Sequence, residues 1–337
     1  MDAIVLVGGL GTRLRPLTYT RHKSLVPLCN QPAIEYLFNW LAESGVGRVV
    51  LAIGQHNEDL EAAYPDGEWN GLRIVQVPEH TRLESGGAIR NAIREAGVEG
   101  RFLVLNGDIY AEFDLKVALA AHEEQRAELT MALYPVDDPS PFGVAALSDD
   151  GLISGFVEKP PPGTAPSNLI NAGVWIFEPG IVAEIPDGAV RVEETLFPSL
   201  VARGRRVLGF EFQGLWADIG TPQRYLDVGV ALATRSDMPS VHAEASVSVA
   251  ATVSSSSIGA GTTLRGGASV EQSILWEGVT VGRNAQVRSS VIADGVDIGD
   301  GAILDGVVSG TGASFPPGAV VPSGTVVEPN CGWQAID

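Results

Sequence analysis

From Val241 onward aliphatic residues return at every sixth position, in a segment where charge thins out and helical periodicity vanishes, and few folds accept that pattern. Ile258, Leu264 and Val270 are six apart, as are Val281 and Val287, and Ile298 and Leu304. The dipeptides Ile258-Gly259, Val281-Gly282 and Ile298-Gly299 recur at matching places, with Gly, Ser, Ala and Thr between them. Six-residue repetition of this kind marks a parallel β-helix, in which each inward aliphatic stacks on its equivalent in the next coil. Slips at Ile274-Leu275-Trp276 and Ser290-Val291-Ile292 break the count without erasing it. A Gly/Ser-rich linker has no reason to keep an aliphatic register.

Upstream, to about Arg235, the texture is different. Val49–Ile53, Ile74–Val77, Phe102–Leu105 and Leu129–Leu133 are short aliphatic runs bounded by polar or glycine turns. Between them Pro32–Ser44, Gly87–Ala96 and Leu115–Glu128 carry apolar residues at helical spacing, Ile34, Leu37, Phe38 and Leu41 in the first. Such βαβ alternation predicts an α/β layer with a mainly parallel sheet and helices on both faces. A chain of 337 residues has room for two domains. We expect them at 1–238 and 239–337.

Ligands of open α/β sheets sit beyond the carboxyl ends of the strands. There the first aliphatic run, Ala3–Val7, feeds Gly8, Gly9 and Gly11, then Thr12, Arg13 and Arg15, with Lys23 further on. Glycines let backbone N–H groups close on an anion, and the cations match a polyphosphate. The plain alternative is a strand-to-helix turn. Against it stands the charge: the chain has a formal net charge of −19, yet its few cations gather behind this loop. That balance argues against nucleic acid and anionic membrane as partners and for a small anionic ligand. No apolar run reaches membrane length and no signal-peptide pattern is seen. Cys29 and Cys331 form no framework or zinc-type spacing, which suits a reducing cytoplasm.

Other residues carry chemistry or an innocent equivalent. Asp108, in Asn106-Gly107-Asp108 after an aliphatic run, either ligates Mg²⁺ or caps a turn. Asp218 precedes Thr221-Pro222, where Thr221 can N-cap a helix; it is either a second metal carboxylate or a pre-helical turn residue. Glu158-Lys159 followed by Pro160-Pro161-Pro162 forces a turn that can aim Lys159 at a phosphate and Glu158 at hydroxyls; otherwise it is a surface ion pair. Asn171 interrupts an apolar strand, so backbone or a ligand must satisfy its amide.

Eight segments in order, VGGLGTRLRPLT, KSLVPL, LESGGAI, LNGD, FGV, FVEKP, NAG and WADIGTP, resemble the sugar-1-phosphate nucleotidylyltransferases. Among these the chain is most similar to mannose-1-phosphate guanylyltransferases with a C-terminal left-handed β-helix. The resemblance implies a Rossmann-like, doubly wound mixed sheet followed by a left-handed parallel β-helix of hexapeptide repeats. It implies that Leu6, Gly8, Gly9, Gly11, Thr12 and Arg13 hold a nucleotide, with Arg13 and Lys23 on its phosphates. Glu84, Ser85, Gly86 and Gly87 face the base, and Asp108 and Asp218 bind Mg²⁺. Gly143, Glu158 and Asn171 contact a sugar, and Lys159 its phosphate. The implied reaction is in-line attack of a sugar-1-phosphate on the α-phosphorus of an NTP, GTP by this resemblance, with Arg13, Lys23 and Asp108 carrying catalysis.

Three departures from the family pattern concern specificity more than reaction class: His22-Lys23-Ser24 for Pro-Lys-Pro, Leu83-Glu84-Ser85 for Leu-Gly-Thr, and Glu194 where Lys is common. Rival readings are a non-catalytic sugar-nucleotide sensor, the same chemistry with dTTP or UTP and glucose-1-phosphate, or GTP with heptose-1-phosphate. A β-helix acyltransferase is disfavoured, because all five histidines lie at or before His242. The β-helix is expected to serve assembly, as a homo-oligomer, or regulation.

Overall fold

The computed structural model describes residues 1–54, 58–235, 238 and 240–334. The chain forms two compact units, Met1–Gly9 with Leu37–Trp216, and Leu10–Tyr36 with Ala217–Asp337. The expected boundary at 238/239 falls at Pro239, outside the described residues.

In the first unit β1 (Asp2–Leu6), β2 (Arg48–Ile53), β3 (Leu72–Pro78) and β4 (Phe102–Asn106) run parallel in the spatial order β4-β1-β2-β3. Ala3, Ile4 and Val5 are all fully buried, so both faces of β1 are covered. That explains why its sequence is a continuous aliphatic run rather than an alternation. The rest of the sheet corrects the mainly parallel expectation. β5 (Leu129–Pro135), β6 (Gly143–Leu147), β7 (Ile153–Glu158), β8 (Leu169–Phe177) and β9 (Val207–Glu211) add antiparallel pairings of β8 with β4, β5 and β6, and of β6 with β7. Only β9 pairs parallel there, with β5. The sheet is mixed, because β6 and β7 are joined by a short turn and need no helical crossover.

Helices α1 (Ala33–Glu43), α2 (Glu84–Ala96) and α3 (Leu115–Glu124) match the periodic stretches with shifted ends; α4 (Leu196–Ala202) was not expected, and α5 (Pro222–Ala233) starts where Thr221-Pro222 placed it. Helix α3 stops four residues before the expected Glu128, since Arg126 turns with φ 47. Ala88, Ile89 and Ala92 of α2 meet Ile4, Val50 and Val77 of the sheet in one core. At its other end Trp175 and Phe197 cross edge to face, centroids 5.1 Å apart. As the sequence suggested, Thr221 caps α5, its side chain accepting the Arg224 N–H with Pro222 in the first turn.

The C-terminal part of the second unit is a parallel β-helix: three five-stranded sheets, all pairings parallel. Leu264 stacks on Val281, Val270 on Val287 and Leu275 on Ile292. Their inward side chains form a continuous core from Ile258 to Val327. The slips in the six-residue count turn out to be regular. Equivalent residues lie 17 positions apart until the last coil, where Val308 pairs with Val326, so in the earlier coils two sides take six residues and the third takes five. Buried serines fill that short corner. Ser256 Oγ accepts the Ser273 N–H at 3.0 Å, Ser273 Oγ the Ser290 N–H at 3.1 Å, and Ser290 Oγ the Val307 N–H at 3.0 Å. Each serine also donates to the carbonyl two residues back, so no polar atom of this ladder goes unpaired.

Candidate active site

The first unit brings the end of β1 against the ends of β2, β3 and β4. Gly8 and Gly54 touch backbone to backbone: a Cβ on Gly54 would fall 2.5 Å from the Gly8 carbonyl. The Gly107 N–H donates to the Leu6 carbonyl at 3.0 Å, and a Cβ at Gly107 would stand 2.4 Å from Val7. Asn-Gly-Asp is therefore not an open turn. Its glycine is flattened against β1, which delivers the half-buried Asp108 to the mouth of the glycine loop.

Glu79, one residue past β3, was not singled out from the sequence. Its backbone N–H bonds the Ile53 carbonyl at 2.7 Å, which holds it at the strand ends, and it is only 8% exposed. One carboxylate oxygen, Oε2, accepts the Leu83 N–H at 3.0 Å. The other stands 3.5 Å from where a Cβ on Gly8 would be, and accepts no hydrogen bond among the described residues. Burial pushes this carboxyl up from the usual range, offset in part by the Leu83 N–H.

The segment expected to face a base is used largely for packing. Gly86 and Gly87 are buried under the stretch 185–192: the Gly86 N–H bonds the Val190 carbonyl, and a Cβ at Gly87 would stand 2.7 Å from the Gly188 carbonyl. Ser85 Oγ donates to Glu193 at 2.6 Å and accepts the Val192 N–H at 3.0 Å. Glu84 has φ 56, a left-handed conformation that glycine adopts without cost, and the family pattern has glycine there. Arg82 and Arg191 flank its carboxylate at 2.7 and 3.2 Å.

A second cluster in this unit contains the expected sugar residues. Gly143 pairs with Glu158 across β6 and β7, and a Cβ at Gly143 would lie 2.7 Å from the Glu158 carboxylate and 2.6 Å from the Phe156 ring. Lys159 turns the chain with φ 47, and its ammonium returns to Glu158 at 3.2 Å. Asn171, half-buried, answers the question its place in an apolar strand raised. Its carbonyl oxygen accepts the Gly173 N–H at 3.0 Å and the Trp175 indole N–H at 2.7 Å, where β8 shifts register. The amide NH₂ group donates to no partner among the described residues. Glu193, also missed, joins the group: burial pushes its carboxyl up, and the Glu158 charge adds to that.

In the second unit the chain from Leu10 to Tyr36 is a strap of three 3₁₀ turns, Thr12–Leu14, Leu17–Tyr19 and Lys23–Leu25. Gly11 opens it with φ 61, and a Cβ there would stand 3.0 Å from Thr18 and 3.1 Å from Lys23. Arg13 is exposed, its guanidinium 2.9 Å from where a Gly220 Cβ would stand. Arg15 stacks on Tyr19, 4.7 Å from the ring centroid. The departure at His22-Lys23-Ser24 has a local solution: His22 Nδ1 accepts the Ser24 N–H at 3.2 Å, capping the turn that presents Lys23. A proline at 24 has no N–H to give. Asp218 behaves in part as its innocent reading: Oδ1 accepts the Gly220 N–H at 2.7 Å and Oδ2 meets Arg224 at 2.9 Å.

With this geometry in view, comparison with known proteins is informative. Residues 2–235 match the nucleotidyl transferase family model. The chain belongs to the nucleotidyl transferase family. Residues 239–326 match the GlmU-like C-terminal hexapeptide model. The chain is 36% identical over 242 residues to mannose-1-phosphate guanylyltransferase of Mycobacterium tuberculosis, covering 71% of this chain and 66% of that protein. Over 230 residues it is 36% identical to the mannose-1-phosphate guanylyltransferase catalytic subunit beta of Xenopus tropicalis, 67% of this chain and 63% of that one. It thus spans just under two thirds of these relatives' lengths. The solved structure of HddC from Yersinia pseudotuberculosis complexed with GMP-PN superposes with TM-score 0.58 at 26% identity, covering 68% of this chain and 97% of that one. Nucleotidyltransferases of this family generally use a divalent metal. No helix among the described residues is long and apolar enough to cross a membrane.

Proposed function

We propose that this protein is a sugar-1-phosphate nucleotidylyltransferase that joins GTP and mannose-1-phosphate into GDP-mannose, releasing pyrophosphate. The reaction class rests on the family match and on relatives named mannose-1-phosphate guanylyltransferase. The choice of guanine rests on Glu79. Guanine presents N1–H and N2–H₂ side by side, and a buried carboxylate with an open oxygen is the acceptor that row of donors needs. Uracil and thymine offer one N3–H flanked on both sides by carbonyls, so they lack the paired donors and set a carbonyl beside the carboxylate. We place the catalytic residues in 1–238 and the β-helix in 239–337.

The chemistry is positional. A sugar-1-phosphate oxygen, already ionised near neutral pH, attacks the α-phosphorus; the bond to the β-phosphate bridge breaks, and pyrophosphate leaves with the electron pair. Arg13 and Lys23 bind and orient the triphosphate. Gly143, Glu158 and the open amide of Asn171 orient the sugar, and Lys159 its phosphate. Asp108 and Asp218 are the carboxylates we assign to Mg²⁺, and two oxygen donors with substrate phosphates completing the shell suit that ion. When bound, it neutralises phosphate charge. The same reading puts the enzyme in the cytoplasm as a homo-oligomer assembled through the β-helix.

Pyrophosphate release assayed with ATP, GTP, CTP, UTP and dTTP against mannose-, glucose- and heptose-1-phosphate tests the reading. GTP with mannose-1-phosphate is expected to lead. Turnover only with dTTP or UTP and glucose-1-phosphate, or only with heptose-1-phosphate, overturns the substrate choice; no turnover with any pair favours the sensor. For the sugar side, Gly143→Ala drives a methyl into the Glu158 carboxylate. The KM for the sugar phosphate is expected to rise about tenfold or more while the KM for GTP holds. An unchanged sugar KM removes Gly143 and Glu158 from the site.

A further inference from the structure

The strap that carries Lys23 lies in the same compact unit as the β-helix, and its contacts with the coil are specific. Two residues before Lys23, the Arg21 guanidinium meets Asp294 of the coil at 3.0 Å and lies over the Trp276 ring, 4.9 Å from its centroid. Asp294 is itself held, its other oxygen accepting the Glu277 N–H at 3.1 Å. Next to Arg21, Thr20 shares a hydrogen bond with Thr311 of the coil at 2.9 Å. Four residues after Lys23, the Pro27 carbonyl accepts the Tyr225 hydroxyl, and that hydroxyl accepts the Trp276 indole N–H at 3.0 Å.

Trp276 and Tyr225 are fully buried, and among the strap's charged groups Arg21 is the one that reaches them. Lys23 therefore sits on a seven-residue span, Arg21 to Pro27, whose two ends are pinned to two hydrogen-bonded aromatic residues, Arg21 on the Trp276 ring and Pro27 on the Tyr225 hydroxyl. Between the pins, His22 caps the Lys23 turn with its ring nitrogen, leaving the backbone at Lys23 little freedom. An arginine that is ion-paired through one nitrogen and stacked on a buried ring, two residues from the lysine, has more reach than a surface ion pair usually has.

We propose that Arg21 is a positioning residue for nucleotidyl transfer: through Asp294 and Trp276 the β-helix sets where Lys23 meets the triphosphate. The coil is thereby part of the nucleotide-binding apparatus, and not only an assembly module. This rests on the reading that Lys23 binds nucleotide phosphate.

The test uses the full-length protein and four variants, Arg21→Ala, Asp294→Asn, Lys23→Ala and the double variant Arg21→Ala/Lys23→Ala, with Arg21→Lys as the conservative replacement. GTP binding is measured by calorimetry beside the KM values for both substrates. Arg21→Ala and Asp294→Asn are expected to weaken GTP about tenfold and leave the sugar-phosphate KM within twofold. Arg21→Lys, which keeps the charge on Asp294 but not the stacking, should recover part of the loss. In the Lys23→Ala background Arg21→Ala should cost nothing further, because what it positions is gone. Val287→Ala, in the coil core, supplies a variant of comparable melting loss without a contact to the strap; its GTP affinity should hold. Additive losses, or equal weakening in Val287→Ala, overturn the proposal in favour of a purely structural ion pair. Wild-type protein that binds GTP but releases no pyrophosphate overturns the enzyme reading and leaves the calorimetric arms of this test intact.

Discussion

Asp108→Asn is expected to lower Mg²⁺-dependent pyrophosphate release at least about a thousandfold while leaving the fold intact. A metal carboxylate that neutralises phosphate charge is worth several kcal/mol in the transition state, and each 1.4 kcal/mol is tenfold in rate. Asparagine keeps the shape, and the turn is held by other contacts. The Gly107 N–H on Leu6 and the close fit of Gly107 against Val7 do not involve the Asp108 side chain. The melting temperature should therefore stay within a few degrees. Steady-state kinetics across a Mg²⁺ titration, with a thermal melt of the same preparation, measure both. Undiminished turnover sinks the metal assignment; a collapsed melt means the carboxylate was structural.

Glu79→Gln is expected to cost GTP use about a hundredfold in kcat/KM while changing UTP use little. The glutamine keeps volume and keeps an acceptor for the Leu83 N–H, but it turns an NH₂ group toward guanine donors. A site built around polar complementarity loses heavily when one of its buried partners is mismatched. A pH profile gives a second reading of the same group. Burial raises the folded-state pKa of Glu79, so as pH falls the wild-type carboxylate takes up its proton before an ordinary glutamate does. The KM for GTP should rise as pH is lowered toward the carboxylate range, and the Glu79→Gln profile should be flatter there. Equal loss for GTP and UTP would show Glu79 to be a packing residue.

How much of this was legible in the sequence varies with the range of the interaction concerned. Chains of local events were readable. The Thr221-Pro222 helix start, the aliphatic β1 buried on both faces and the stacked coil aliphatics all follow from patterns within a few residues. The five-residue side of the coil was visible only as slips, because its cause is a serine that bonds a backbone N–H 17 residues on. The antiparallel half of the sheet was implied by the family resemblance but was not readable from the βαβ alternation, because strand order depends on pairings between distant segments, such as Val174 with Leu105.

At the site, the motif glycines were expected to face ligand, and the sequence does not say what else in the chain packs against them. Gly86 and Gly87 yield to the chain at 185–192, whereas Gly143 yields to Glu158. Glu79 and Glu193 were missed for a related reason. A glutamate among many in a chain of net charge −19 carries no local signal; what marks these two is burial, of Glu79 just past a strand end and of Glu193 in the turn before α4.

By itself the sequence determined the β-helix, the βαβ character of the N-terminal part and the family. Each is a matter of side-chain type at short, repeated spacing, which the backbone geometry of strand, helix and coil reads directly. The tertiary structure alone decided which carboxylate stands beside Gly8, what each motif glycine packs against, and that the Lys23 strap is pinned to Trp276 and Tyr225 of its own unit. Those facts join residues as much as 273 positions apart, Arg21 and Asp294 among them. Contacts at such separation arise only when the hydrophobic core has closed, and no local pattern encodes them.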